Sequence, residues 1–176
     1  MRLPLHEGNG LHIRPEVDDD VLTIREITAA AFEHMPYAAG DEPELIDTLR
    51  SASRLHLSLV AELEGQVVGH IAFSRATASN ASGDWFALGP VSVLPSHQKK
   101  GIGSALIESG ITKLASEHAA GCILTGDPGY YTRFGFVLAP ELTPPGDPIE
   151  FFQVKLINGP EPSGKIHFDP AFGSDT

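Results

Sequence analysis

The run Pro95-Ser96-His97-Gln98-Lys99-Lys100-Gly101-Ile102-Gly103-Ser104 gathers the residue types that hold a phosphate. Two lysines stand side by side in a chain that has 12 Lys+Arg against 23 Asp+Glu and a formal charge of −11. Two glycines follow at once, and then an apolar run with helical spacing. The mouth of a helix presents N–H groups that lack acceptors, together with the positive end of its dipole. Glycine there lets a bulky anion reach the backbone, because no Cβ stands in the way. Such a turn could grip a pyrophosphate, with Lys99 and Lys100 adding local positive charge. A dinucleotide fingerprint does not fit, since Leu106 stands where G-x-G-x-x-G needs its third glycine. No G-x-x-x-x-G-K-[ST] string occurs either. The pattern Q-x-x-G-x-G does fit, on Gln98, Gly101 and Gly103. An ordinary strand–turn–helix connection, whose glycines serve only the turn, is the plainer reading of the same residues.

Other chemistry is thinly signalled. Eight histidines are scattered without metal-ligand spacing, so no metal site is expected. The one cysteine, Cys122, allows no internal disulfide and favours a reducing, cytoplasmic setting. It falls in an expected strand, where a thiol is buried and inert. The acidic balance argues against nucleic-acid binding, which needs a basic footprint. It would suit a basic partner or a cationic amine, although surplus acid also simply keeps a protein in solution. No apolar run is long enough to span a membrane, and the start of the chain is too polar and too broken by Pro and Gly for a signal peptide.

The elements that must hold the glycine turn can be read from periodicity. Leu11 to Arg14 reads as a short strand. Asp18, Asp19 and Asp20 then supply helix-starting carboxylates, followed by Val21, Ile24, Ile27 and Ala31 at helical spacing. Leu45, Ile46 and Leu49 mark a second short helix. LSLVAEL, Glu64-Gly65 and QVVGHIAFSRATA read as an antiparallel hairpin, with residues 78–84 as a loop. Trp85 to Leu94 forms the next strand. Its internal Gly89-Pro90 marks a bulge or an edge, because proline cannot donate to a ladder. Leu106, Ile107, Gly110, Ile111, Leu114, Ala115 and His118 share one face of the helix after the turn. Cys122 to Thr125 is a short buried strand, Gly126 to Phe136 a turn, a short helix and a return to sheet, and FFQVKLI a further strand. Lys165 to Phe168 closes the series.

The segment LGPVSVLPSHQKKGIGSALIESGI resembles the strand, pyrophosphate loop and helix of the GNAT superfamily, the acetyl-coenzyme A-dependent N-acetyltransferases. YYTRFGF resembles that superfamily's F/Y-Y-x-x-x-G-F ending, with Tyr131 on the key tyrosine. LGP-V-V-LP with GDPxYYxRFGF is closer to one bacterial branch of predicted acetyltransferases. The resemblance implies one N-acetyltransferase domain over residues 11–170, with residues 1–10 and 171–176 as loose termini. The fold it implies is a three-layer α/β/α acyl-CoA N-acyltransferase fold, whose mixed, mostly antiparallel central sheet is splayed at a β-bulge near Gly89-Pro90.

The same resemblance implies site roles. The acyl-pantetheine arm of acetyl-coenzyme A would pair with the backbone of Val91 and Val93. Backbone N–H groups of Gln98, Lys99, Lys100, Gly101, Ile102, Gly103 and Ser104 would wrap the pyrophosphate, with no metal involved. Tyr131 would give a proton to the departing thiolate. A phenol with an ordinary pKa near 10 is protonated at neutral pH and close in acidity to a thiol; packing against the pantetheine is the other reading of this residue. Tyr130, Phe134 and Phe136 read as core, and Arg133 as surface or as a phosphate contact. The reaction implied is direct attack of a primary amine on the thioester, with a small-molecule acceptor bound around Phe32 to Pro43. An acyl-CoA-binding regulator without catalysis and an acetyltransferase acting on peptide or protein amines are the rival readings. The bulged strand carries no glutamate to act as base; Asp84, Glu33, His34 and His97 are the residues left to consider. The resemblance also allows a homodimer.

Overall fold

Leu11–Pro15 forms β1 and lies antiparallel to β2 (Leu55–Leu63), with Leu11 opposite Leu63 and Pro15 opposite Leu59. β2 turns into β3 (Gln66–Asn80) through Glu64 and Gly65, whose φ values are 51° and 80°. Two residues at positive φ match the twist of the strands they join, so this pair makes the tight hairpin expected of it. The computed structural model describes residues 10–36 and 38–173. Of the loose ends expected at residues 1–10 and 171–176, residues 1–9 and 174–176 lie outside the described residues, while Pro170–Phe172 form a 3₁₀ turn.

Between β1 and β2, Asp18–Asp20 form a 3₁₀ turn that leads into α1 (Val21–Phe32). The aspartates are not equivalent helix-starting acids. Asp20 is buried, accepts from the Val17 N–H at 2.8 Å and pairs with Arg14 at 2.7 Å. α2 spans Glu42–Ser51, with Pro43 in the first turn where its missing N–H costs nothing. β4 (Trp85–Val93) leads through a 3₁₀ turn at Pro95–His97 to α3 (Ile102–Ser116). Then follow β5 (Gly121–Thr125), α4 (Pro128–Tyr131), β6 (Val137–Leu138), β7 (Phe152–Leu156) and β8 (Ser163–His167). Strand order is β1-β2-β3-β4-β5-β7-β6, with β8 beside β3. The sheet is mixed and mostly antiparallel: β4 and β5 run parallel, while β1–β2, β5–β7, β6–β7 and β3–β8 run antiparallel.

The chain resolves into two compact units interleaved in sequence. Met1–Phe73 with Gly89–Lys113 make the first, and Ser74–Leu88 with Leu114–Thr176 the second. In the first unit, helices cover both faces of the strands. Ile24 of α1, Ile46 of α2 and Val60 of β2 form one buried cluster. On the other face Gly69 lies against Leu106 and Ile102 of α3, and Phe73 fills the space left by Gly110. The second unit has its own core, in which Trp85, Ala87, Ile123, Phe152, Val154, Ile166 and Phe168 pack together.

Two local expectations need correction. Residues 78–80 are strand, because Thr77, Ala78 and Asn80 find partners in His167, Ile166 and Ser163 of β8. That partner lies more than eighty residues away, beyond the reach of local pattern. His118 leaves the apolar face of α3: it is exposed at φ 62°, and the Ala119 N–H reaches back to the Leu114 carbonyl at 3.0 Å. A left-handed residue of this kind ends a helix. No helix among the described residues is long and apolar enough to cross a membrane.

Candidate functional site

β4 and the turn after it hold the residues for which phosphate binding is expected. Gly89 has φ 134°, which glycine tolerates and side-chain-bearing residues rarely adopt, and the following bond to Pro90 is cis. The parallel ladder to β5 joins Trp85–Gly121, Phe86–Cys122 and Ala87–Ile123, and ends just before this irregularity. Beyond it, Val91 and Val93 are half-buried and Ser92 is buried.

Gln98 ends the 3₁₀ turn in extended conformation, and its Nε2 donates to the Val93 carbonyl at 3.0 Å, tying the turn to the end of β4. Lys99 and Gly101 both take positive φ, 64° and 83°. Alternating backbone of this sort turns successive N–H groups toward one concave side, where an anion can sit. The Ala105 N–H bonds to the Gly101 carbonyl at 3.0 Å, so Ile102, Gly103 and Ser104 precede the first intrahelical donor of α3. Ile102 is buried and anchors the turn, while Lys99, Lys100 and Gly101 are exposed. A Cβ on Gly101 would meet nothing within 4 Å; its glycine answers to its φ, not to crowding. This backbone, with two exposed ammonium groups and no acidic residue from Pro95 to Leu106, suits a pyrophosphate.

Tyr131 lies in the second unit and ends α4. Asp127 caps that helix by accepting from the Gly129 N–H at 2.8 Å, and the Tyr131 N–H bonds to the Asp127 carbonyl at 3.1 Å. The ring packs edge-on against Tyr130, with centroids 5.0 Å apart, and against Phe136 at 6.1 Å. Burial pushes the phenol up to about 12, and Tyr130 and Asp127 add to the rise. The ordinary acidity expected of this group therefore gives way to a phenol held firmly protonated. Phe136 is buried, Tyr130 and Phe134 half-buried. Arg133 donates to the Tyr130 carbonyl at 2.9 Å and stacks over the Tyr130 ring. Gln153 escaped the sequence reading. Fully buried in β7, it donates through Nε2 to the Gly126 carbonyl at 2.9 Å and so fixes the turn that starts α4. A glutamine inside an apolar strand pattern was its only signal.

The residues considered as a base lie at the surface or are already engaged. Glu33 and His34 face each other at 3.9 Å on an exposed turn. Asp84 pairs with Arg75 at 2.9 Å, and His97 Nδ1 meets Ser96 Oγ at 2.8 Å. Cys122 is fully buried, which drives its thiol pKa upward and leaves it unreactive.

The model of the acetyltransferase (GNAT) family matches residues 21–136 of this chain. The chain belongs to the GNAT family. As a GNAT member it is an acyltransferase with acetyl-coenzyme A as co-substrate. It is 33% identical over 128 residues to the uncharacterized N-acetyltransferase YhbS of Escherichia coli K12, covering 72% of this chain and 74% of that one. YjhQ of the same organism is 35% identical over 121 residues, which are 66% of this chain and 64% of that protein. Among solved structures, a GNAT family acetyltransferase from Brucella melitensis in complex with acetyl-CoA shares 44% identity. It superposes with a TM-score of 0.82 over 94% of this chain and 99% of its own. The structure of YhbS from Escherichia coli in complex with CoA has a TM-score of 0.83 and 28% identity, covering 98% and 97% of the two chains.

Proposed function

We propose that this GNAT member, acting as one domain over residues 11–170, transfers an acetyl or short acyl group to the primary amine of a small molecule. The observation that carries the reading is the turn from Gln98 to Ser104. It sets positive-φ backbone at Lys99 and Gly101 directly before a helix mouth that has donors to spare. Those N–H groups hold the pyrophosphate of the co-substrate, and the backbone of Val91 and Val93 pairs with its pantetheine arm. Two solved relatives, from Brucella melitensis and Escherichia coli, carry acetyl-CoA and CoA.

Acetyl-coenzyme A supplies an activated acyl group and a thiol leaving group, which the amine displaces directly. Holding the two reactants together is the main service of the protein. Tyr131 acts at the leaving sulfur. With its pKa at about 12, it is a weaker acid than an alkyl thiol at about 8.5. It therefore serves as a hydrogen-bond donor to the sulfur as charge develops, and stays protonated at any pH where the amine is neutral enough to attack. The experiment is thiol release from acetyl-CoA with a panel of primary amines, for wild type and for Tyr131→Phe. The substitution should lower kcat by roughly ten- to a hundredfold, the scale of one hydrogen bond to a charged group, and leave the affinity for acetyl-CoA intact. Unchanged turnover would remove the role of Tyr131, and no release with any amine would remove the proposed function.

A further inference from the structure

Gln153 lies where the pattern of β7 calls for carbon. Phe152 and Val154, on either side of it, belong to the core of the second unit and are at most 4% exposed. Strand alternation turns Gln153 to the other face, where its ladder partners are Leu124 and Leu138. It is 0% exposed there, so contact with water gives it no reason to be polar. A leucine or a methionine would fill the same space.

The two ends of the amide fare differently. Nε2 donates to the Gly126 carbonyl at 2.9 Å and, at the longer distance of 3.4 Å, to the Phe151 carbonyl. Oε1 is buried and has no hydrogen-bond partner among the described residues. A buried oxygen without a donor is costly, so what Gln153 contributes comes from its N–H groups. They act on the residue that the Tyr131 ring rests against. A Cβ on Gly126 would stand 2.6 Å from Tyr131 Cε2 and 3.1 Å from Cδ2, which places the Gly126 backbone directly against the ring. The Gly126 N–H is held by the Phe151 carbonyl at 3.0 Å, so strand and side chain together clamp both polar groups of that residue. After α4, the Lys155 ammonium covers Gly135, which ends the 3₁₀ turn Thr132–Phe134. Lys155 shares the Gln153 face of β7, and that face thus braces the Tyr131 segment before and behind.

We propose that Gln153 is the positioning residue of Tyr131: its amide fixes the Gly126 carbonyl, and the Gly126 backbone fixes how deep the phenol ring sits. This rests on the reading of Tyr131 as the hydrogen-bond donor to the departing sulfur. Without the amide, the Gly126 carbonyl is left bare and turns toward another donor. The peptide rotates with it, and the ring loses the surface it rests on. The hydroxyl swings furthest, because it stands at the end of the ring remote from the backbone. A shift there weakens a bond whose strength depends on distance and angle.

The test is a double-mutant cycle of Gln153→Met and Tyr131→Phe, read as thiol release from acetyl-CoA with the most active primary amine of the panel. Methionine matches glutamine in length and has no donor. Gln153→Met should lower kcat by about five- to tenfold and leave the affinity for acetyl-CoA unchanged by calorimetry. Once Tyr131→Phe is present, the same change should alter kcat by less than about twofold. An unchanged kcat, or an equal loss in both backgrounds, overturns the positioning role, since a merely structural fault slows both alike. Should Gln153→Met not fold, Gln153→Asn, which draws the donor back by one bond, takes its place with the same expected outcomes. Fluorotyrosine labelling adds a readout independent of catalysis. The chain has three tyrosines, and the fluorine NMR signal missing from Tyr131→Phe is that of Tyr131. In Gln153→Met this signal should move toward its position in the urea-unfolded protein. If Tyr131→Phe leaves turnover unaltered, or no amine releases thiol, the catalytic reading falls and this signal judges the positioning alone. A moved signal then upholds it, and an unmoved one overturns it.

Discussion

Replacing His70 by glutamine should flatten the acid side of the stability curve. His70, in β3, is 0% exposed. Its Nε2 lies 2.7 Å from Ser58 Oγ, and Ser58 donates its hydroxyl hydrogen to Glu16 Oε1. The hydrogen bonds therefore assign the ring proton to Nε2, which leaves a bare Nδ1, buried and without a partner among the described residues. Arg50 grips Glu16 with two hydrogen bonds of 3.0 Å. Burial of the imidazole outweighs the attraction of Glu16 and Asp20, Arg50 opposes a second cation, and the pKa falls from 6.5 to about 4. The unfolded chain thus takes up this proton near its ordinary value and the folded chain only near pH 4. Between the two, the unfolded state binds more protons, so stability declines as pH drops through this window and the contribution is exhausted below it. A gap of about 2.5 pH units, at ~1.4 kcal/mol per unit, amounts to about 3–4 kcal/mol. Glu16 and Asp20, whose folded pKa values are lowered, act with the same sign at lower pH. Glutamine keeps a donor for Ser58 and cannot titrate. Urea unfolding at about pH 7.5 and about pH 4.5 should show wild type losing some 2–3 kcal/mol more than His70→Gln across that interval. Equal losses would refute the assignment of a buried neutral imidazole.

Two further substitutions probe packing. Gly110→Ala places a methyl group inside the ring of Phe73 and should cost roughly 1–3 kcal/mol in urea unfolding, the range for an overpacked core; unchanged stability would mean that the α3 contact is slack. Gly126→Ala sets a Cβ 2.6 Å from Tyr131 Cε2. The displaced ring should lower kcat by about tenfold, given how steeply rate depends on position, with acetyl-CoA affinity by calorimetry unaltered. Equal turnover would show that the ring position does not matter.

The glycine turn ahead of α3 was legible as a turn because its information is local. Gln98, Gly101 and Gly103 sit within six residues, and the backbone angles they require follow from chirality and the lack of a Cβ. The Glu64-Gly65 turn and the helical spacing of Val21, Ile24 and Ile27 were legible for the same reason. Tyr131 could be singled out through a short string, but its raised pKa could not, since that depends on what covers the ring.

Sequence alone, then, determined the hairpin, the glycine turn at the mouth of the long helix, the short helix of Tyr131 and the membership they signal. Tertiary structure decided the charges inside. Glu16 meets Ser58 across 42 positions and Arg50 across 34, and Gln153 reaches Gly126 across 27. Nothing in the spacing of Glu42 and Glu44 tells which of them turns inward. Local steric rules fix the angles of a turn within a few residues, whereas a buried charge is defined by partners and by loss of water, and both arrive only when distant segments pack.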